Sequence, residues 1–201
     1  MNQPADNVQS ERSRLRRQQV LDAAAACFRE YGFHGASISQ ISKAAGMSAG
    51  HIYHFFDNKE AIIGAIVEQK VERSIEMITR FESEADVFGT MVERMDTGLE
   101  DKTDPEFVGL WLEVLAEAAR NPEIARIVQT ADQKMRERVT RLEKIARQSR
   151  CIDSQIKPEA VAEVIMALLE GLGNRIVQNP DMDKDEVIKV LRVAAQAILQ
   201  A

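Results

Sequence analysis

Apolar residues recur at helical spacing along almost the whole chain, while the strict alternation of a half-buried strand is almost nowhere present. That pattern points to an all-α fold. Val20, Ala24, Cys27, Phe28 and Tyr31 share one face of a helix expected from about Glu11 to Tyr31, with Gly32 as its stop. Later, Asp104-Pro105, Asn121-Pro122, Lys157-Pro158 and Asn179-Pro180 each set a helix-breaking bond between apolar-periodic segments. Proline removes a donor and disfavours helix for the residue before it. The boundaries predict helices near residues 59–83, 85–99, 105–120, 122–149, 158–178 and 183–200.

The 201 residues suffice for a sizeable core, and 45% apolar with 29% charged residues is an ordinary globular balance. No stretch approaches the roughly 18 uncharged apolar residues a membrane span needs. The first ten residues are polar and lack an apolar run, so the expectation is a flexible arm over 1–10, no export signal and a cytoplasmic protein. Cys27 and Cys151 have neither metal nor disulfide spacing and read as buried or idle thiols. The net charge of −6 is uneven: residues 1–59 carry seven Lys or Arg against five Asp or Glu, whereas the remainder carries a net −8. Arg12, Arg14, Arg16 and Arg17 fall within six residues. Such a cluster can sit on phosphates, with Arg14 and Arg17 as candidate contacts, or can be a solvated helix start.

The N-terminal part also holds six of the ten aromatic rings, Phe28, Tyr31, Phe33, Tyr53, Phe55 and Phe56. A unit of about fifty residues is marginal alone, and large rings supply much apolar area per residue, so most of them are expected in a mini-core. The informative stretch is SISQISKAAGMSAGHIYHFFDNKE, residues 37–60. Ser37 with Gln40 forms a capping-box pattern, Ile38, Ile41 and Ala45 share a face, and Gly46 fits a left-handed stop. Ser48 can cap a second helix, expected over about 49–56, which gives helix-turn-helix spacing. At 1.5 Å per residue that helix measures roughly 11 Å, a length that can lie in a major groove about 12 Å wide. Ile52 and Phe56 face inward; Ala49 and Gly50 let backbone approach, and His51, Tyr53 and His54 can bond base edges or phosphates. Asp57 is expected to cap the next helix with Glu60 at its third position. Lys59 in that first turn has the wrong sign for the helix dipole, a local cost that a nearby phosphate would reverse.

With these residues in view, the chain resembles the TetR/AcrR bacterial transcriptional regulators, from about Val20 through Ala61: AAAACFREYGFHGASISQIS, AAGMSAGHIYHFF and the NKE that follows. The resemblance implies an all-α homodimer with a three-helix DNA-binding head, here residues 11–58, and a six-helix ligand-binding and dimerisation body, here 59–201. It further implies DNA contacts at Ser37, Ser48, Ala49, Gly50, His51, Tyr53, His54 and Lys59. One departure stands out: the position before the core Phe56 is often His in the family, whereas here it is Phe55, so a phosphate contact there is in doubt and His54 can compensate.

The body resembles choline-responsive-type regulators in WLEVLAEAARNPEIARI and AVAEVIMALLEGLGNRI. Helix 105–120 is apolar almost all round and is expected to be central. Met77, Phe88, Met91, Met95, Phe107, Trp111, Met135, Met166 and Asn174 are candidate walls of an inducer site, against the alternative of plain core packing. Glu106, Glu113, Glu117 and Arg120 form a stripe expected to be solvated; if Glu113 or Glu117 reaches inward beside Trp111, the site suits a cationic ligand. The last two helices, with Leu168, Leu172, Ile176, Val187, Leu191, Ala194 and Ile198, are assigned to a dimer interface.

The expected activity is a repressor that binds a palindromic operator as a dimer and is released by a small inducer, largely apolar or alternatively cationic; its partners are double-stranded DNA, the inducer and a second copy. A ligand-independent or redox-switched DNA-binding protein is the alternative. No nucleophile motif, glycine-rich phosphate loop or metal cluster points to an enzyme or a cofactor. His51 and His54 at i,i+3 lack a third ligand nearby.

Overall fold

The computed structural model describes residues 3–94 and 104–200, with side chains from residue 11 onward. The described residues form α1 (Gln3–Gly35), α2 (Ile38–Ala45), α3 (Ala49–Tyr53), α4 (Lys59–Glu82), α5 (Val87–Glu93), α6 (Pro105–Ala118), α7 (Pro122–Arg150), α8 (Pro158–Gln178) and α9 (Lys184–Gln200). Among the described residues every regular element is a helix, as the periodicity implied. The first helix begins at Gln3 rather than near Glu11, so the arm expected over 1–10 is helical from its third residue. Gly32 does break α1: its φ of 69° and ψ of 169° belong to a region nearly reserved for glycine, and the chain resumes one further turn at Phe33.

The chain divides into two compact units. One comprises the residues through Glu68 together with Leu110–Val128, and the other comprises Gln69–Gly109 with the residues from Gln129 on. Besides α1–α3, the first unit takes in the start of α4, most of α6 and the start of α7, with Ile62, Ile63, Val114 and Ile124 buried. In this first unit Val20, Leu21, Ala24, Cys27 and Phe28 of α1 are buried along with Ile41, Ala45, Ile52 and Phe56. Gln19 donates to the Ala45 carbonyl at 2.8 Å, tying α1 to the last turn of α2. Of the expected core rings, Phe28, Phe33 and Phe56 are buried, whereas Tyr31 and Tyr53 are exposed.

In the second unit the core joins Ile78 and Phe81 of α4, Val87, Phe88 and Met91 of α5, Leu142 and Ala146 of α7, Val161 and Ile165 of α8, and Leu191, Ala195 and Leu199 of α9. Helix α6 is less central than its composition implies, since Leu112 and Leu115 are exposed while Val108, Leu110 and Val114 are buried. The end of α7 is closed by Cys151 in the left-handed conformation, φ 53°. Ile152 N–H donates to the Arg147 carbonyl at 3.1 Å and Cys151 N–H to that of Gln148 at 3.3 Å, a Schellman arrangement usually built on glycine.

Candidate nucleic-acid interface

The turn between α2 and α3 forms as the sequence dictates. Ser37 accepts from the Gln40 N–H at 3.2 Å while the Gln40 side chain accepts from the Ser37 N–H at 2.8 Å, so both halves of the capping box are made. Gly46 closes α2 with φ 62°, its N–H donating to the Lys43 carbonyl. Two residues on, the Ser48 hydroxyl accepts from the His51 N–H at 3.3 Å and opens α3.

Helix α3 is shorter than expected. It ends at Tyr53 with His54 as its cap, five residues that rise only about 7.5 Å, and a turn carries the chain on to Phe56. A helix this short has little dipole to offer a phosphate, so its value lies in its side chains. Ile52 is fully buried and fixes the roll of α3. That roll leaves Ser48, Gly50, Tyr53 and His54 exposed and Ala49 and His51 half-buried. Six of the expected contact residues thus share one outward turn.

Around them, Phe55 is half-buried with its ring stacked on His51, centroids 5.9 Å apart and planes 12° apart. His54 meets the same ring edge-on at 5.3 Å. The Arg17 guanidinium lies 5.0 Å above the ring of Phe56, so one of the α1 arginines is carried to the same end of the head. Arg14 is exposed and paired with Glu11 at 2.7 Å; that hydrogen bond, with the Arg14 charge, holds the Glu11 carboxyl below its ordinary value. Arg12 and Arg16 are exposed on the same helix. Among the described residues, no group of three or more His, Cys, Asp or Glu is arranged to hold a metal ion.

Lys59 does not stand where a phosphate anchor is expected. Its ammonium donates to the Phe33 carbonyl at 2.7 Å and the Ala36 carbonyl at 2.8 Å, and it sits 4.6 Å from the centroid of the Phe33 ring. Its wrong sign at the start of α4 is explained by the carbonyls at the end of the α1 segment, which take two of its three donors. The cap of α4 is Asn58, whose side chain accepts from the Ala61 N–H at 2.7 Å, and not Asp57.

The acidic stripe of α6 is not solvated as a whole. Glu117 is 1% exposed and accepts from Arg120 at 3.0 Å and Asn121 at 3.2 Å, with His34 at 3.0 Å. Burial pushes its carboxyl up, but the hydrogen bonds and the charges of His34 and Arg120 outweigh burial and hold it below the ordinary value. Glu117 thus turns inward toward the end of α1. Glu113 also faces that end: its carboxylate lies 3.3 Å from where a Cβ on Gly32 would be. Trp111 and Glu113 stand two apart on the helix, a spacing that sets their side chains on different faces.

The remaining candidate wall residues are dispersed. Phe88 and Met91 are buried in the second unit's core with Met77 and Met135 packed against it, and Arg150 lies over the Phe88 ring at 5.1 Å. Phe107 is half-buried and carries the Lys70 ammonium 3.9 Å from its centroid. Met166 and Asn174 are half-buried on α8, Trp111 is half-buried in the first unit, and Met95 lies outside the described residues. Of the residues assigned to the dimer interface, Ile176 and Leu191 are buried, and Leu168, Leu172 and Ile198 pack on the unit's own core. Val187 and Ala194 are half-buried. What α8 and α9 expose is Val164, Val177, Val190 and Val193, at 47%, 55%, 69% and 70%. Cys27 is buried, and burial together with the Glu30 charge raises its thiol pKa, while Cys151 is exposed rather than buried.

Comparison with known proteins agrees with this architecture. Residues 20–66 match the model of bacterial regulatory proteins of the tetR family, and residues 95–200 match that of the BetI-type transcriptional repressor C-terminal domain. The chain is 31% identical over 169 residues to the HTH-type transcriptional regulator UidR of Escherichia coli K12, covering 83% of this chain and 84% of that one. Among solved structures, Salmonella enterica GusR superposes with a TM-score of 0.74 at 27% identity, over 92% of this chain and 96% of GusR. The fatty acid degradation regulator FadR of Bacillus halodurans shares the fold, with a TM-score of 0.79 at 21% identity over 92% and 94% of the two chains.

Proposed function

From the premise that the chain belongs to the TetR family of bacterial transcriptional regulators, we propose that it is a ligand-responsive repressor that binds a palindromic operator as a dimer. The observation that carries this reading is the outward turn of α3, with Ser48, Ala49, Gly50, His51, Tyr53 and His54 on one side and Ile52 fixed in the core on the other. Two such turns about 34–36 Å apart, one duplex turn, read the two halves of a palindrome. The DNA-facing groups are these residues with Ser37, Arg14 and Arg17; Lys59 is committed to carbonyls of its own chain.

The dimer is assigned to α8 and α9, through the exposed faces that carry Val164, Val190 and Val193. The inducer is assigned to the second unit, whose Met77, Phe88, Met91 and Met135 surroundings suit an apolar molecule. A cationic inducer would need a carboxylate beside Trp111, whereas the Glu113 carboxylate lies 3.3 Å from where a Cβ on Gly32 would stand. The single helix α4 runs from the head unit into the second unit, and a ligand that biases its position by 1–3 kcal/mol lowers operator affinity about 5- to 150-fold.

A duplex selected from a random pool by the wild-type protein tests the reading. His51→Ala is expected to lose at least tenfold on that duplex and little on random DNA, and equal loss on both removes His51 as a reader.

A further inference from the structure

We infer that Phe55 is the positioning residue of the recognition turn: its ring holds the imidazoles of His51 and His54 in place before DNA arrives. The inference rests on reading α3 as the base-reading element and adds how so short a helix can be selective. A five-residue helix with exposed or half-buried polar side chains leaves each of them free to sample several rotamers. Here one ring takes up both histidines, His51 on its face, with planes 12° apart, and His54 at 5.3 Å with planes 69° apart. The two imidazoles themselves lie 6.4 Å apart.

Phe55 is in turn anchored. It follows His51 by one helical turn, its N–H donates to the Ile52 carbonyl at 2.9 Å, and it stands between His54 and the buried Phe56. Ile52 and Phe56 are 0% and 5% exposed, so the backbone that carries the ring is pinned on both sides. Aromatic pairs at these separations attract beyond simple burial. Ordering a side chain in advance removes an entropy cost that binding would otherwise meet, equivalent to roughly 2- to 10-fold in affinity per side chain. That gain falls on contacts His51 and His54 make and leaves contacts made by the α1 arginines unchanged, so it raises selectivity rather than general affinity for DNA.

The experiment compares wild type, Phe55→Leu, Phe55→Tyr, His51→Ala and the double variant His51→Ala/Phe55→Leu on the pool-selected duplex and on random DNA. Leucine keeps an apolar anchor without a ring. Phe55→Leu is expected to lose about 3- to 10-fold on the selected duplex and less than 2-fold on random DNA, and Phe55→Tyr to restore the wild-type ratio. Because the ring acts through His51 and His54, the double variant is expected to lose less than the product of the two single losses, the remainder being the part carried by His54. In the DNA-free protein the His51 ring protons are expected to carry an upfield ring-current shift that Phe55→Leu abolishes. Equal losses on both DNAs, multiplicative losses in the double variant, or unchanged His51 shifts would overturn the inference while leaving the regulator reading intact. A wild-type protein that selects no sequence from the pool removes both.

Discussion

Lys59 shows how a single residue can break a local rule for a structural reason. A cation in the first turn of α4 is unfavourable there, and the sequence offers a phosphate as the remedy; the structure supplies the Phe33 and Ala36 carbonyls instead. Those oxygens lie 23 and 26 residues away, beyond any spacing rule. Lys59→Met keeps the stem and removes the donor. It is expected to cost about 1.5–3 kcal/mol of stability, from two hydrogen bonds to a charged group. The salt dependence of DNA binding should stay as in wild type, since a lost phosphate contact would flatten the slope by about 0.9. Denaturant midpoints and a salt titration check both halves of this prediction. Cys151 breaks a rule in the opposite sense, a side chain at φ 53° where the α7 Schellman cap favours glycine. Cys151→Gly is expected to raise stability by about 0.5–1 kcal/mol, because the left-handed strain of a Cβ outweighs the added freedom of the unfolded chain. A lowered melting temperature would show that the Cys151 side chain contributes more than it strains.

At the scale of elements, the sequence was readable wherever the signal was local. Ser37 with Gln40, the left-handed Gly46 and the Ser48 cap each act within four residues, and every one forms. Helix boundaries set by proline held for the same reason, as Pro105, Pro122 and Pro158 each open a helix. The reading failed where a partner came from another element. Glu117 looked like part of a solvated stripe because its neighbours on α6 are charged, yet His34 at the end of α1 closes over it. Phe55 read as a lost phosphate contact, although its spacing of four from His51 was already a signal for a stacked pair. The buried Glu117 carries a pH consequence. Its folded pKa lies below the unfolded value, so its contribution is present above about pH 4.3, the ordinary glutamate value, and is lost as pH falls through the folded value. Glu117→Gln should therefore weaken the first unit by about 1 kcal/mol at pH 7, a modest figure because His34 and Arg120 remain largely exposed and can turn to water. Acid unfolding curves between pH 5 and 2 should be shallower in the variant, and parallel curves would assign the acid sensitivity to other carboxylates.

For the whole molecule, the decisive surface is the one the chain leaves apolar. Among the described residues no helix is long and apolar enough to cross a membrane, so the exposed valines need another explanation. Val190, Val193 and Ala197 follow one another at three and four residues on α9, and Val164, Ala167 and Gly171 do so on α8. Scattered apolar residues are ordinary on a surface, whereas stripes at helical spacing on two successive helices are the surface that the proposed dimer would cover. The sequence could not say which face of α8 or α9 meets the core, because apolar residues line both sides of each and periodicity alone does not separate them. In a twofold interface each substitution enters twice, so Val190→Glu/Val193→Glu places four carboxylates in a surface that must otherwise be dry. The variant is expected to sediment as a monomer with unchanged helicity. On the selected duplex it should lose 10²- to 10⁴-fold, the benefit that linking two half-site contacts confers. A monomer also neutralises half as many phosphates, so its salt slope should fall to about half that of wild type. Wild-type sedimentation with intact operator affinity would move the interface elsewhere. A monomer that keeps both affinity and slope would show that one head reads the site alone, and the palindrome would then have no partner in the protein's symmetry.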